Sequence, residues 1–480
     1  MAALKDAAIV DVIDVEPRHL AMVRSVLARY VPFREVWAYG SRVKWNAADE
    51  RSDLDVVVFG ASEDEIYATR EAFAESDIPF EVQVFDWENL PEDFQKNIKK
   101  KYYVLRTTDD WAEYSLGDIA KIKGGKRLPL GKNLTELKTQ HPYIRTRDIK
   151  NNKIAVEELL FVPDEVFPEI SNYIVDAGDI IISIVGTIGS IAIIPNSLHL
   201  ANLTENCAKI TNFETGRIDK NFLFYFFISP AGQDNILSRN VGSTQPKLPL
   251  YNIRDIPVLA PILGEQKAIA EVLGGLDDKI DLLHHQNKTL EAMAETLFRQ
   301  WFVVDAKEEW EDGVLGDIIE LHYGKGLKDT VRTGTGYPVI GSSGIVGYHN
   351  EFLVEAPGIV IGRKGTLGET IYLTDNFYPI DTTYYVKPKR EIGYLFIYFL
   401  LRSIGFREMN SDSAVPGLNR DLALSIEQKI PPYAIINEFE MIAQPLFQKL
   451  TANNNQIRTL EKLRDNLLPK LMSGDVRVQL

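Results

Sequence analysis

The tetrapeptide Leu116-Gly117-Asp118-Ile119 returns 199 positions later as Leu315-Gly316-Asp317-Ile318, and this pair governs the interpretation of the whole chain. Three further matches follow in the same order, at offsets that fall to 170 positions: Ala177-Gly178-Asp179-Ile180 with Ala356-Pro357-Gly358-Ile359, Gly186-Thr187-Ile188-Gly189 with Gly365-Thr366-Leu367-Gly368, and Thr289-Leu290-Glu291 with Thr459-Leu460-Glu461. Ordered matches of this kind indicate an internal duplication. The falling offset indicates that the first copy carries additional loop residues.

Both copies have the same plan, in which short β-branched and aromatic runs separated by Gly and Pro precede one long helix. The residues before the duplication alternate between helix and strand patterns. The sequence therefore predicts an α+β multidomain protein, with an N-terminal α/β domain and two pseudo-symmetric β-rich lobes separated by long antiparallel coiled-coil helices. The predicted segments are 1–110 for the N-terminal domain, 111–262 for lobe 1, 263–304 for the first helix, 305–433 for lobe 2 and 434–480 for the second helix.

Apolar residues recur at steps of three and four along both long helices, which is the spacing of a coiled-coil seam. The candidate seam residues, which are also the candidate contacts for partner subunits, are Leu276, Ile280, Leu283, Asn287, Leu290 and Leu297 in the first helix and Ile457, Leu460 and Leu467 in the second. Asn287 and Asn453 interrupt the seam as polar residues that can fix its register. The alternative is two amphipathic helices, each packed on its own lobe. The length of both seams favours the coiled coil.

Composition excludes several classes of protein. The chain has 480 residues, 68 acidic against 53 basic, and a formal net charge of −15, which argues against a protein that holds nucleic acid by bulk charge. Its one cysteine, Cys207, cannot form an intramolecular disulfide, and this favours a reducing cytoplasm. The apolar stretch 177–194 contains Asp179 and two glycines, so it predicts two buried strands and no membrane span.

Basic and small polar residues recur in the loops of both lobes. Arg and Lys can donate to guanine edges or phosphates, amides can bridge adenine, and Gly lets backbone amides approach phosphate. The candidate DNA-binding residues are Lys123, Lys126, Arg127, Arg145, Arg147, Thr187, Ser243, Thr244, Gln245 and Lys247 in lobe 1, and Lys325, Lys328, Ser342, Ser343, Arg363, Lys364 and Arg420 in lobe 2. Each cluster alone is typical of a solvated surface loop. Their recurrence in both copies favours recognition.

From about Trp111 to Leu480 the sequence resembles the specificity (S) subunit of type I restriction–modification systems. The resemblance rests on the repeated motifs above, on Gly242-Ser243-Thr244-Gln245-Pro246-Lys247, on 261–267 (Pro-Ile-Leu-Gly-Glu-Gln-Lys) and on 297–302 (Leu-Phe-Arg-Gln-Trp-Phe). It implies two target-recognition domains, each reading one half of a split site in double-stranded DNA without a cofactor. It also implies methyltransferase (M) subunits that clasp the helices and restriction (R) motor-nuclease subunits that join the complex.

The motifs of a self-contained DNA-modifying enzyme are missing from the sequence. Pro431-Pro432-Tyr433 follows Lys429-Ile430, so the Asn or Asp of a methyltransferase motif is absent. No Walker-type glycine loop occurs, and the seven histidines lack metal-ligand spacing. These absences predict a DNA reader whose catalysis lies in partner subunits.

The N-terminal domain carries a different motif, in which Gly40-Ser41 precedes Asp53-Leu54-Asp55 and a valine run. Two carboxylates two residues apart on a strand share a face and can hold a divalent metal, while Gly-Ser at a turn can cradle a triphosphate. This resembles the minimal nucleotidyltransferases of the polymerase-β superfamily, including those that act as antitoxins. The resemblance implies Asp53 and Asp55 as catalytic and metal-binding residues, Gly40 and Ser41 as nucleotide-binding residues, and Mg²⁺ with a nucleoside triphosphate as ligands.

Activity of this domain is the open point. The family has a third acid on a later strand, where this sequence has Gln83, and an amide is a poor ligand for a hard cation. Glu81 on the same face is one replacement, and a degenerate domain kept for scaffolding or regulation is the alternative. The main hypothesis is a cytoplasmic DNA-specificity subunit. The rival is a metal-dependent nucleotidyltransferase with antitoxin-like NMP transfer, which the C-terminal domains direct to its target.

Overall fold

The computed structural model describes residues 9–10, 12–43, 52–107, 110–242, 246–389, 391–406 and 417–478. These residues form two compact units. Unit 1 comprises the described residues up to Gly275 together with those from Arg464 onward, and unit 2 comprises those from Leu276 to Leu463.

The N-terminal domain of unit 1 is a four-stranded sheet flanked by helices. Its elements are α1 (Pro17–Tyr30), β1 (Val36–Tyr39), β2 (Leu54–Val58), α2 (Glu63–Ala74), β3 (Val82–Asp86), α3 (Glu92–Ile98) and β4 (Tyr103–Arg106). The strand order is β3-β2-β1-β4, with β2 parallel to β3 and antiparallel to β1. Leu54 and Val56 of β2 are fully buried in the domain core, and Asp55 lies on the opposite face of the strand, where Val57 is buried in a second cluster.

Lobe 1 follows the N-terminal domain in unit 1. Its elements are β5 (Ala112–Ser115), α4 (Leu116–Ile119), β6 (Lys121–Gly124), β7 (Pro142–Ile144), β8 (Ile149–Lys150), β9 (Lys153–Ile154), β10 (Leu160–Phe161), α5 (Phe167–Ile170), β11 (Ile180–Ser183), β12 (Ile191–Ile193), β13 (Asn202–Leu203), β14 (Cys207–Thr211), α6 (Lys220–Ile228), α7 (Pro230–Leu237), α8 (Leu250–Arg254) and β15 (Pro257–Ala260). The strand orders are β12-β11-β14-β6, β10-β7-β13, β15-β5 and β8-β9. The long helix α9 (Leu263–Arg299) comes next and ends in a π-helical turn at Gln300–Val304.

The isoleucine-rich stretch of lobe 1 forms two buried antiparallel strands, β11 and β12, as the sequence predicts. The glycines at positions 186 and 189, both at positive φ, lie in the turn between them. Among the described helices, none combines the length and the apolar character needed to cross a membrane.

Lobe 2 lies in unit 2 and repeats the plan of lobe 1. Its elements are β16 (Glu311–Val314), α10 (Leu315–Ile318), β17 (Ile319–Tyr323), β18 (Tyr337–Gly341), β19 (Gly344–His349), β20 (Gly358–Gly362), β21 (Thr370–Leu373), β22 (Tyr378–Pro379), β23 (Thr383–Pro388), α11 (Tyr394–Ser403), α12 (Arg420–Leu424) and β24 (Glu427–Ile430), followed by the long helix α13 (Tyr433–Ser473). The strand orders are β17-β23-β20-β21, β19-β18-β22 and β16-β24. The first of these matches β6-β14-β11-β12 of lobe 1, element for element.

Within unit 2, helices α9 and α13 pair through an antiparallel seam. Ile280 and Leu283 of α9 pack with Ile457 and Leu460 of α13 in one buried cluster. Later in α9, Asn287 bonds to residues that precede Ile457 in α13, which makes the helices antiparallel. The predicted α+β fold class with antiparallel coiled-coil helices is confirmed.

The ends of the two seams pack on the lobes instead. Leu297 contacts the aromatic core of lobe 2 within unit 2, and Leu467 contacts the core of lobe 1 within unit 1. Leu276 and Leu290 are half-buried. The coiled coil and the lobe-packed amphipathic helix are therefore both realised, in different segments of the same helices.

Candidate nucleic-acid interface and N-terminal carboxylate site

The loops that carry the candidate DNA-binding residues rest on a main-chain frame common to both lobes. In lobe 1, Leu248 N donates to Ile184 O over 3.0 Å, and in lobe 2, Leu418 N donates to Arg363 O over 3.0 Å. In each lobe this bond connects the strand end before the Gly-Thr-[Ile/Leu]-Gly turn to the segment that precedes a short helix, α8 in lobe 1 and α12 in lobe 2. The main-chain connection is the same in both lobes at this turn, so the difference at this place lies in the side chains.

Lobe 1 presents a basic edge at the end of β6. Lys123, Lys126 and Arg127 are all exposed there. Arg127 forms an ion pair with Glu205 at 2.6 Å, and the Lys126 ammonium lies 5.7 Å from the ring centroid of Tyr173. Lys123 and the Tyr173 ring also line a cavity of about 290 Å³. The edge therefore combines cations with an aromatic ring, which suits contact with a nucleic acid.

Arg145 and Arg147 have different surroundings although they are two residues apart. The Arg145 guanidinium donates to both carboxylate oxygens of Asp148, at 2.8 and 2.7 Å, and to the Glu158 carbonyl oxygen. Asp148 is almost fully buried, so this ion pair holds the loop together. Arg147 is exposed and forms no ion pair among the described residues, although its charge, after that of Lys150, contributes to lowering the pKa of Glu158.

The remaining lobe 1 candidates lie around the glycine turn. The Thr187 side chain is exposed, while its carbonyl oxygen accepts a hydrogen bond from the Ser183 hydroxyl. Lys247 is exposed and forms backbone bridges with Val185 and Val241. The predicted residues Ser243, Thr244 and Gln245 lie outside the described residues.

The candidates at the start of the lobe 2 loops divide into exposed and structural residues. Lys325, Lys328 and Ser343 are exposed. Ser342 is buried, and its hydroxyl donates to the Thr382 carbonyl oxygen at 2.6 Å, so it supports the turn rather than the surface.

A cluster of two arginines and two tyrosines lies beside the second glycine turn. The Arg363 and Arg420 guanidinium carbons lie 5.2 and 5.5 Å from the ring centroid of Tyr323, and Arg363 is 5.7 Å from that of Tyr384. Lys364 is exposed next to them. Burial and the neighbouring Tyr323 raise the pKa of Tyr384 to about 12, so its hydroxyl remains a neutral donor to the Leu418 carbonyl oxygen. Neither tyrosine is among the residues predicted from the sequence, although the repeat offset of 199 places Tyr323 opposite Gly124.

The N-terminal motif brings Gly40 and the two aspartates together. Gly40 has φ +84°, and a β-carbon on it would lie 2.5 Å from the Asp55 carboxylate oxygen, so the turn requires glycine. Ser41 begins a short 3₁₀ turn directly after it. Burial, together with the negative charge of Asp53, raises the pKa of Asp55. This is the pattern of two carboxylates that share one site.

Gln83 lies at the position of the third acid and contacts the aspartates. It is opposite Asp55 in the parallel β2–β3 register, and its side-chain amide donates a 2.9 Å hydrogen bond to Asp53 Oδ2. Among the described residues, no group of three His, Cys, Asp or Glu side chains is arranged to hold a metal ion. The Gln83 amide donates to a carboxylate oxygen that a divalent cation would need as a ligand, and it adds no negative charge to the site. The side chains of Asp53, Asp55 and Gln83 therefore do not suit a divalent metal ion.

The family of the chain follows from comparison with known proteins. Residues 108–292 and 307–458, more than half of the chain, match the family model described as the type I restriction modification DNA specificity domain. The chain belongs to this family. Each matched range begins near the start of one copy of the repeat, and the predicted specificity subunit is confirmed.

Individual specificity subunits resemble the chain over most of their length. The type I restriction enzyme MjaIX specificity subunit of Methanocaldococcus jannaschii is 26% identical over 419 residues, covering 77% of this chain and 94% of that protein. The crystal structure of an S subunit from M. genitalium has a TM-score of 0.52 at 20% identity, covering 76% of this chain and 97% of that one. The second likeness shows the common fold.

A separate match concerns a nucleotidyltransferase. The probable protein adenylyltransferase MntA of Haemophilus influenzae is 38% identical over 104 residues, which cover 21% of this chain and 90% of that protein. This specificity subunit is therefore related to MntA over nearly the whole length of MntA, which supports the nucleotidyltransferase resemblance of the N-terminal domain.

Proposed function

We propose that the chain recognises a two-part site in double-stranded DNA, with a gap between the parts, and that each lobe contacts one of them. The observation that carries this proposal is the common main-chain frame of the lobes, which holds different side chains at the same positions. A constant frame with changed surface residues is what two readers of different base sequences require. No cofactor is needed for this reading.

We propose further that helices α9 and α13 bind the methyltransferase subunits, which restriction subunits join. Apolar side chains on these helices remain exposed outside the intrachain seam. In unit 2 they are Leu282 and Met293 of α9 and Met441, Ile442 and Leu463 of α13, each at least 42% exposed. Exposed apolar residues along a helix support a protein partner. Partners that contribute phosphate contacts would also offset the net charge of −15.

The test is a selection from random DNA duplexes, with the full chain bound to the methyltransferase subunits of its own system. We expect two short conserved segments separated by unselected positions of constant number. A single contiguous consensus, or none, would contradict the proposal. The chain without its partners is the control, and it should retain less DNA at the same salt concentration.

For the N-terminal domain, we propose a nucleotidyltransferase fold that does not carry out metal-dependent transfer. The amide of Gln83 on Asp53 supports this. The rival is Mg²⁺-dependent NMP transfer through Asp53 and Asp55. Incubation of the full chain with labelled nucleoside triphosphate and Mg²⁺, beside the double variant Asp53→Ala and Asp55→Ala, separates the two. Label transfer that the double variant loses would establish the rival.

A further inference from the structure

The two lobes can be aligned residue by residue at the end of their first core strand. In lobe 1, Gly124 of β6 is opposite Ala208 of β14, and in lobe 2, Tyr323 of β17 is opposite Tyr384 of β23. One residue further along, Gly125 N and Gly324 N each donate to the opposite strand, over 3.0 and 3.1 Å. Tyr323 and Gly124 are therefore structurally equivalent positions.

The neighbouring loop residues are equivalent as well. Ile184 and Arg363 each accept the main-chain bond that fixes the loop, and Leu250 and Arg420 are the first residues of α8 and α12. In lobe 1 the Leu250 side chain approaches Gly124, with 3.6 Å between its Cδ1 and a β-carbon on that glycine. In lobe 2, Arg420 lies at the same place against Tyr323. The same main-chain frame therefore holds different residues in the two lobes. Lobe 1 has Gly124, Ile184, Ala208 and Leu250, and lobe 2 has Tyr323, Arg363, Tyr384 and Arg420 at the equivalent positions.

The lobe 2 cluster is cationic, and its outer members Tyr323 and Arg420 are accessible. Tyr323 is 52% exposed and the Arg420 side chain is 42% exposed. Arg363 is anchored through a 2.8 Å bond to the Asp381 carbonyl oxygen, and Arg420 bonds to Asp421 at 3.3 Å. A guanidinium held over an aromatic ring loses little conformational entropy when it binds, because its plane is already oriented.

We infer that Arg420 and Arg363, oriented by Tyr323, recognise guanine in the half-site of lobe 2, and that lobe 1 has no equivalent contact. An arginine fork matches the O6 and N7 acceptors of guanine in the major groove, and this pairing is the commonest specific contact to a base. The small and apolar residues at the four equivalent positions of lobe 1 carry no side-chain donor, and the cations of its basic edge, Lys123, Lys126 and Arg127, stand at other positions. The inference rests on the proposed two-part recognition and adds a base type and an asymmetry between the halves.

The test repeats the DNA selection with variants that carry the lobe 1 residue at each position, which the common frame accommodates. Arg420→Leu and Arg363→Ile should each lower affinity for the selected site by roughly tenfold to a hundredfold and remove the guanine preference from one segment only. Arg420→Lys keeps the charge and loses the fork, so it should lose the same preference. The matched control is Lys389→Leu, which removes a positive charge from the same lobe beyond the far end of β23.

The positioning role of Tyr323 is tested by two further variants. Tyr323→Phe keeps the ring and should preserve the guanine preference, while Tyr323→Gly, the lobe 1 residue, should weaken it. An unchanged two-part consensus in Arg420→Leu and Arg363→Ile, or a wild-type consensus that lacks guanine in both segments, would overturn the inference. Failure of the wild-type protein to select any two-part site would instead overturn the proposed function.

Discussion

The side-chain amide of Asn453 on α13 donates a 2.9 Å hydrogen bond to the side-chain oxygen of Asn287 on α9, across the antiparallel seam of unit 2. Asn453 is fully buried, and Asn287 in turn donates to Asn454 at 2.7 Å. The repeat offset of 170 makes Asn287 equivalent to Ile457 and Asn453 to Leu283. The repeat therefore relates a polar layer of the seam, Asn287 with Asn453, to an apolar layer, Leu283 with Ile457. Only this register places the two amides opposite each other.

Replacing one asparagine should destabilise unit 2 more than replacing both. Asn287→Leu removes the acceptor of a buried amide and should cost about 1–3 kcal/mol in the free energy of unfolding. The double variant Asn287→Leu with Asn453→Ile reproduces the neighbouring apolar layer and should recover that loss. Urea unfolding of the full chain measures both, with Asn455→Leu at an exposed position as the control. The pairing would be contradicted if the double variant lost the sum of what Asn287→Leu and Asn453→Ile each lose alone.

Arg145 and Arg147 should behave differently, because only the first is bound to a buried carboxylate. Arg145→Ala leaves Asp148 buried without its partner and should lower the stability of lobe 1 by about 3–5 kcal/mol. Arg147→Ala should leave the melting temperature unchanged and weaken DNA binding, with a smaller dependence of affinity on salt. Thermal unfolding and DNA titration at several salt concentrations distinguish the two. Equal thermal effects would refute the structural role of Arg145.

A single substitution should give the N-terminal domain a metal site. Gln83→Glu replaces the amide donor on Asp53 with a third carboxylate, and we expect Mn²⁺ to bind the variant at least roughly tenfold more tightly than the wild type. Electron paramagnetic resonance of free Mn²⁺ measures this without any assay of transfer. Adding Asp53→Asn to the variant is the control and should abolish the gain. Tight, Asp53-dependent Mn²⁺ binding by the wild-type chain would show that the amide is no obstacle.

Glu440 of α13 caps the first turn of α11, although it lies 44 residues after Phe396 in the chain. Its carboxylate accepts a 2.7 Å hydrogen bond from Phe396 N, and a β-carbon at the N-cap residue Gly393 would lie 2.0 Å from its Cδ. Burial raises the pKa of Glu440 above its ordinary value, although the backbone bonds oppose this. The carboxyl therefore contributes stability below its unfolded-state pKa, and that contribution is lost as the pH rises through the folded-state pKa.

Glu440→Gln keeps an acceptor without the charge, so its stability relative to the wild type should increase between pH 4 and pH 7. Glu440→Ala removes the cap and the titrating group together, so it should cost about 1 kcal/mol at pH 4 and less at pH 7. Thermal unfolding of both variants across this range provides the measurement. A pH-independent difference between Glu440→Gln and the wild type would show that the carboxyl titrates normally.

Much of the architecture follows from the sequence, because an internal duplication and the periodicity of a helix are both visible in the order of the residues. The match of Leu116 with Leu315, and the three-and-four spacing around Leu283 and Ile457, predicted two β-rich lobes and an antiparallel seam, and both are present. The position of Gln83 predicted the missing third acid, since alternation along β3 sets its face. The DNA-binding set remains a prediction, and three of its residues lie outside the described part of the chain.

The tertiary structure decided which polar groups meet. Loop candidates chosen by residue type divide into exposed groups such as Arg147 and structural ones such as Ser342, because the neighbours of a loop side chain come from other strands. The same holds for Glu440 at the start of α11 and for Asn453 against Asn287. Periodicity identifies the face of an element on which a residue lies. The partner it meets depends on how distant segments pack, and no local pattern encodes that.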